Sequence, residues 1–143
     1  MRRLSFFLLG LLTISSLCLL NQGIAVAQGR FVPIGVNASN GSATMLDSSS
    51  VKTLAKGHVQ FNSVTKPLKP MKTKSGESIE YKVAVYDGDC SGGSVKLLKG
   101  EYHDGNGVAL FSKMYPDMTF RPMATGSVGR DVLNAACTLA GVK

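Results

Sequence analysis

The sequence predicts an α+β protein, an antiparallel β-sheet packed with a C-terminal α-helix and held by one disulfide. Three observations carry that prediction. From Gln28 to Thr125 no 3.6-residue period is sustained; short alternating or β-branched and aromatic runs stand between clusters of Gly, Asn, Asp and Ser, the pattern of strands and turns. After Ser127 the period changes to that of an amphipathic helix. Of the three cysteines, Cys18 lies in an N-terminal apolar run, which leaves Cys90 and Cys137 as an even pair.

A chain of 143 residues holds one small core. Arg2-Arg3, the apolar run from Leu4 to Leu20 and the small triplet Ala25-Val26-Ala27 read as a signal peptide over residues 1–27, followed by a single domain over 28–143. An uncleaved anchor is the competing reading, but Asn21-Gln22-Gly23 and the Ala-Val-Ala site favour cleavage, leaving no integral membrane span. Leu17 precedes Cys18 where a lipidation site needs a small residue. Export puts Cys90 and Cys137 in an oxidising compartment, where a disulfide is expected. Closing that loop contributes about 4 kcal/mol on the chain-entropy model, a large share of the roughly 5–15 kcal/mol that stabilises a small domain. The rival reading, two free thiols in a nucleophilic or metal role, lacks a C-x-x-C spacing and a nearby histidine.

The elements follow in order. Phe31 to Val36 is the first strand; Asn40-Gly41 tolerates the positive φ of a hairpin turn, and Ser42 to Leu46 returns antiparallel. Asp47-Ser48-Ser49-Ser50 reads as a turn whose side chains cap a brief helical turn over Val51 to Leu54. Gly57 to Thr65 is the third strand, with Val59, Phe61 and Ser63 on one face and His58, Gln60 and Asn62 on the other. Lys66 to Gly76 carries four lysines and two prolines and reads as a loop at an edge or crossing in extended form. Ser78 to Tyr86 is the clearest strand and is expected to be central, with Ile79, Tyr81, Val83 and Val85 alternating against Glu80, Lys82, Ala84 and Tyr86. Asp87 to Gly93 is the next turn. Ser94 to Tyr102 is a strand with Val95 and Leu97 opposite Leu98 and Tyr102; Asp104-Gly105-Asn106-Gly107 reverses the chain into Val108 to Ser112. Met114 to Thr125 is irregular. The helix starts after Ser127 as N-cap and ends near Gly141, with Val128, Val132, Leu133, Ala136, Cys137 and Ala140 on one stripe and Asp131 near its positive end.

Little in this chain points to catalysis. His58 and His103 belong to no metal-binding spacing, and Asp87, Asp89, Glu101 and Asp104 are explained by turn chemistry; the fragments Asp-Gly-Asp and Asp-Gly-Asn-Gly lack the other ligands of a calcium loop. Ser48, Ser49 and Ser50 lack a nucleophile elbow, and Gly126-Ser127-Val128-Gly129 is not a phosphate loop. No catalytic residue, metal or cofactor is assigned. The balance of charge is basic, 16 Lys+Arg against 9 Asp+Glu, and export argues against a nucleic-acid partner. Lys66, Lys69, Lys72 and Lys74 form a local positive loop suited to acidic glycans, anionic envelope surfaces or acidic proteins. Tyr81, Tyr86, Tyr102 and Tyr115 are too scattered in sequence to define an aromatic platform.

Met45-Leu46-Asp47, the run from Val83 into Cys90, Tyr102-His103-Asp104-Gly105-Asn106-Gly107-Val108, and Phe120-Arg121-Pro122-Met123-Ala124-Thr125-Gly126-Ser127-Val128-Gly129 before Cys137 occur in an order that resembles the surface-adhesin protein E family, from about Phe31 to Cys137. The resemblance implies an antiparallel sheet joined to a C-terminal helix by a disulfide, here between Cys90 and Cys137. Phe31 and Phe120 stand where that family usually carries tryptophan, and Asp131 only loosely matches its acidic residue after Gly-Ser. It also implies partners among host matrix and plasma proteins such as vitronectin, laminin and plasminogen. The reading is therefore an exported, non-enzymatic binding or adhesin-like protein, periplasmic, secreted or surface-displayed. The alternatives are a small periplasmic enzyme or inhibitor, for which a cleft would gather His58, His103, Asp87 or Glu101, and a structural envelope component self-associating through an edge at Pro67–Pro70.

Overall fold

The computed structural model describes residues 30–142, so the signal peptide expected over residues 1–27 lies outside the described residues. Six strands form the main antiparallel sheet in the order β1 (Phe31–Val36), β2 (Ala43–Thr53), β3 (His58–Lys66), β6 (Tyr81–Asp89), β7 (Ser94–His103) and β8 (Ala109–Met114). The two-residue β9 (Arg121–Pro122) pairs with the start of β7, and β4 (Met71–Lys72) with β5 (Ser78–Ile79) makes a separate small hairpin. The single α-helix among the described residues, α1 (Val128–Leu139), lies across β1, β2 and β3. The expected α+β architecture is the observed one.

Helix and sheet meet through small residues. Val132, Leu133, Ala136 and Cys137 of α1 are buried against Leu46, Val59, Phe61 and Val95. The Ser127 hydroxyl accepts from Arg130 N–H at 3.2 Å as the N-cap. At the other end Gly141, at φ +66°, donates to Thr138 O while Val142 N–H reaches Cys137 O, a Schellman closure that stops the helix. The sheet offers no Cβ at Gly88, where one would lie 2.5 Å from Leu133 Cδ1 and 3.0 Å from Phe61 Cε1. Cys90, the residue after β6, is bonded to Cys137 with Cα atoms 5.8 Å apart, as the cysteine pairing required.

Several boundaries differ from expectation for identifiable reasons. Asp47 to Ser50 is not a turn leading into a helical turn over 51–54; β2 runs through it to Thr53. Between the pairs Asp47–Asn62 and Lys52–Gln60, β2 takes five steps to two on β3, an enlarged bulge. Its polar side chains serve the bulge instead of a helix: Asp47 Oδ1 accepts from Ser49 N–H, and the Ser50 hydroxyl donates to Asp47 O while accepting from Asn62 N–H. Asp87-Gly88-Asp89 likewise stays in β6, because both flanking strands pair with it, and the turn shrinks to Cys90–Gly93. A bulge at Leu98 reverses the parity of β7: Val95, Leu97, Gly100 and Tyr102 stand opposite Gly88, Tyr86, Ala84 and Lys82, so Tyr102 shares the face of Val95 and Leu97. Residues 66–76 are not all loop, since Met71–Lys72 pairs with Ser78–Ile79, and that pairing shortens the expected strand from Ser78 to one starting at Tyr81. Pro67–Pro70 connects β3 to this hairpin and is no edge of the main sheet, whose edges are β1 and β8.

Two outcomes are expected in urea unfolding. Cys137→Ser costs about 4 kcal/mol, the loop-closure term for this spacing. Gly88→Ala costs about 1–3 kcal/mol by overpacking, and less in a Leu133→Ala background, where the added methyl finds room.

Candidate functional site

On the sheet face turned away from α1, a groove of about 510 Å³ runs across β2, β3, β6 and β7. Period-two alternation builds it: Met45, Val64 and Val83 occupy successive cross-strand positions and form an apolar floor, with Phe31 and Tyr81 beside them. Arg30, Lys66, Asp47, Asn62, Glu101 and His103 supply the polar lining. The available signal was Val64, an apolar residue on the face of β3 assigned to His58, Gln60 and Asn62. Local pattern placed Asp47 in a turn and did not join it to Arg30, because their contact links residues 17 apart.

Both carboxylates of the groove are already engaged. Arg30 donates to the two oxygens of Asp47, at 3.2 Å from Nε and 2.9 Å from Nη2. Burial would push the Asp47 carboxyl up, but the Arg30 and Ser49 hydrogen bonds outweigh it and hold the group below the ordinary carboxylate range. Lys99 Nζ reaches Glu101 Oε1 at 2.6 Å, and this hydrogen bond lowers the Glu101 carboxyl. His103 donates from Nδ1 to Gly107 O at 3.2 Å, because a carbonyl only accepts; its ring stacks on Tyr81 at 4.9 Å, with Nε2 3.5 Å from Glu101 Oε2.

The second histidine belongs elsewhere. His58 Nδ1 lies 3.0 Å from Asp87 Oδ1, Lys96 Nζ lies 3.9 Å from Asp87 Oδ2, and Phe120 packs edge-on against His58. These side chains therefore form two separate pairs, His58 with Asp87 and His103 with Glu101; only the second lines the groove, so the two histidines do not gather in one cleft. Among the described residues no three His, Cys, Asp or Glu side chains come together as metal ligands, and no helix is long and apolar enough to cross a membrane. Of the four lysines singled out, all are exposed; Lys66 sits at the groove, while Lys69, Lys72 and Lys74 lie outside its lining on and beside the β4–β5 hairpin.

Residues 31–138 match the family described as surface-adhesin protein E. The chain belongs to that family. Its description is of adhesins, not of enzymes. Two solved structures share the fold: protein E of Haemophilus influenzae, at 11% identity and TM-score 0.61, over 79% of this chain and 87% of the other; and protein E from non-typeable Haemophilus influenzae, at 13% identity and TM-score 0.57, over 79% and 76%. No curated protein matches in sequence. Within the surface-adhesin protein E frame, the antiparallel sheet, the C-terminal helix and the Cys90–Cys137 bond between them are as the resemblance implied.

The Arg30–Asp47 contact carries a pH signature. Because the folded-state carboxyl is depressed, its contribution is complete above the unfolded value of about 4 and is lost as pH falls through the lower folded value. Asp47→Asn is expected to lower stability at pH 7 and to flatten the decline between neutral and strongly acidic pH, as read by urea midpoints along a pH series.

Proposed function

We propose that this protein is an exported, non-enzymatic adhesin-like module that binds an acidic macromolecular partner, with the lysine-rich segment 66–74 as the contact. One observation carries the reading. Lys66, Lys69, Lys72 and Lys74 are all exposed, and none forms an ion pair among the described residues, so four ammonium groups stand unpaired along one stretch from the end of β3 through the β4–β5 hairpin. The segment is braced for this role. Thr73 N–H donates to Glu77 O, Gly76 N–H to Thr73 O, and the Ser75 hydroxyl to the Glu77 carboxylate, which ties up the one acid inside the hairpin turn. Family membership supports the adhesin reading, and the apolar run followed by Ala25-Val26-Ala27 supports export. Partners of the expected kind are host matrix or plasma proteins, or an acidic envelope component.

Binding to immobilised matrix and plasma proteins and to envelope extract, measured in parallel, tests the reading. Replacing all four lysines by alanine is expected to weaken capture by about tenfold and to remove most of its salt dependence. Capture that survives the replacement unchanged would remove the segment as the contact.

A further inference from the structure

The helix covers one end of its sheet face and leaves the other end open. On the same face as Leu46 and Phe61, but beyond α1, β6 presents Lys82, β7 presents Gly100 and Tyr102, and β8 presents Phe111 and Lys113. Tyr115, just past β8, donates its N–H to Leu98 O and lays its ring back over Gly100, where a Cβ would lie 3.5 Å from Tyr115 Cε2 and 3.8 Å from Lys82 Cε. Lys82 Nζ sits 5.6 Å from the Tyr102 ring centre, Tyr102 and Phe111 stack at 4.8 Å with planes 4° apart, and Lys113 Nζ sits 5.2 Å from the Tyr115 ring. The rings, scattered in sequence, are one cluster in space.

Two features give this cluster a chemistry. Its rings are not roofed: Phe111 is 49% exposed, and Tyr102 and Tyr115 are only partly covered. Neither Lys82 nor Lys113 has an ion-pair partner among the described residues; Glu80, just before β6 and two residues from Lys82, is instead hydrogen-bonded by the Ser78 hydroxyl. Two strand spacings and one two-residue step separate the Lys82 and Lys113 backbones, about 12 Å. A partner must therefore offer weakly positive C–H faces to the electron-rich rings and an anion at each end of a short span. A protein surface fits less well, since lysines are depleted from the dry centres of protein interfaces and Lys is a strongly hydrated point charge. A sugar chain supplies both features on the same ring.

We propose that the uncovered face of β6–β8 binds a sulfated, uronic-acid-bearing glycan, with Tyr102, Phe111 and Tyr115 as the stacking surface and Lys82 and Lys113 as the anion contacts. This site is separate from segment 66–74 and does not rest on it. The test titrates the disulfide-bonded protein with a heparin-derived tetrasaccharide, a hyaluronan tetrasaccharide carrying carboxylates alone, and neutral chitotetraose, following amide NMR shifts and calorimetry. The heparin fragment is expected to bind best, hyaluronan more weakly and chitotetraose not measurably, with shifts centred on Gly100, Tyr102, Phe111 and Lys113. Phe111→Ser, at a half-exposed edge position, is expected to lower affinity about fivefold. Lys82→Gln with Lys113→Gln lowers it about tenfold, whereas Tyr102→Phe, which keeps the ring, leaves it within about twofold. Loss of binding on alanine replacement of Lys66, Lys69, Lys72 and Lys74 alone, equal binding of chitotetraose, or absence of shifts at these residues with the heparin fragment would each overturn the assignment.

Discussion

The closeness of α1 to the sheet is the constraint on which the rest of the structure turns. Leu133 projects onto β6 where Gly88 has no side chain, Ala136 is fully buried, and the next residue, Cys137, is bonded to Cys90 at the end of the same strand. Small residues bring the helix down, large ones such as Phe61 and Leu46 fill the space on either side, and the covalent link removes alternatives from the unfolded chain. A domain this small has little core to spare, so a short helix fastened at one point supplies what a second layer would supply in a larger protein.

That placement also decides which surfaces remain for recognition. Because α1 lies over β1 to β3 and reaches β6 and β7 only near Gly88 and Val95, the part of its sheet face around Lys82, Tyr102 and Phe111 lies outside its footprint, and the opposite face carries the groove floored by Met45, Val64 and Val83. The carboxylates of the groove are neutralised, Asp47 by Arg30 in its lining and Glu101 by the neighbouring Lys99. Uncompensated positive charge instead collects on the β4–β5 hairpin and beside the rings of β7 and β8. A basic protein in which most carboxylates are already engaged presents its charge to acidic partners without needing a deep pocket.

Much of the scaffold was legible in the residues. Phe31–Val36 was readable from its boundaries, the third strand from the alternation of Val59, Phe61 and Ser63, and the helix from its stripe and the Ser127 cap. Two of the misread stretches share one cause. Asp, Ser and Gly clusters occur in turns, in bulges and within strands, and only pairing with neighbouring strands tells them apart, as at the bulged Asp47–Ser50 and the regularly paired Asp87–Asp89. The face of Tyr102 was misassigned for a related reason: one extra residue at Leu98 changes parity, and nothing local marks it. Of the candidate sites, the lysines were visible as a run of charge; the groove and the aromatic cluster were not, since both draw on three or four strands.

By itself, the sequence determined the period of most segments, the cap and end of the helix, the pairing of Cys90 with Cys137 and the sign of the surface charge. Apart from the cysteine pair and the net charge, which follow from simple counting, these are properties of neighbours along the chain, set by side-chain alternation and backbone freedom. The tertiary structure alone decided which strands lie side by side, where bulges shift the register, and therefore that Tyr102, Phe111 and Tyr115 meet while His58 and His103 stay apart. Those outcomes depend on contacts between residues distant in the chain, whose energies exist only once the sheet has closed and the helix has come down on it.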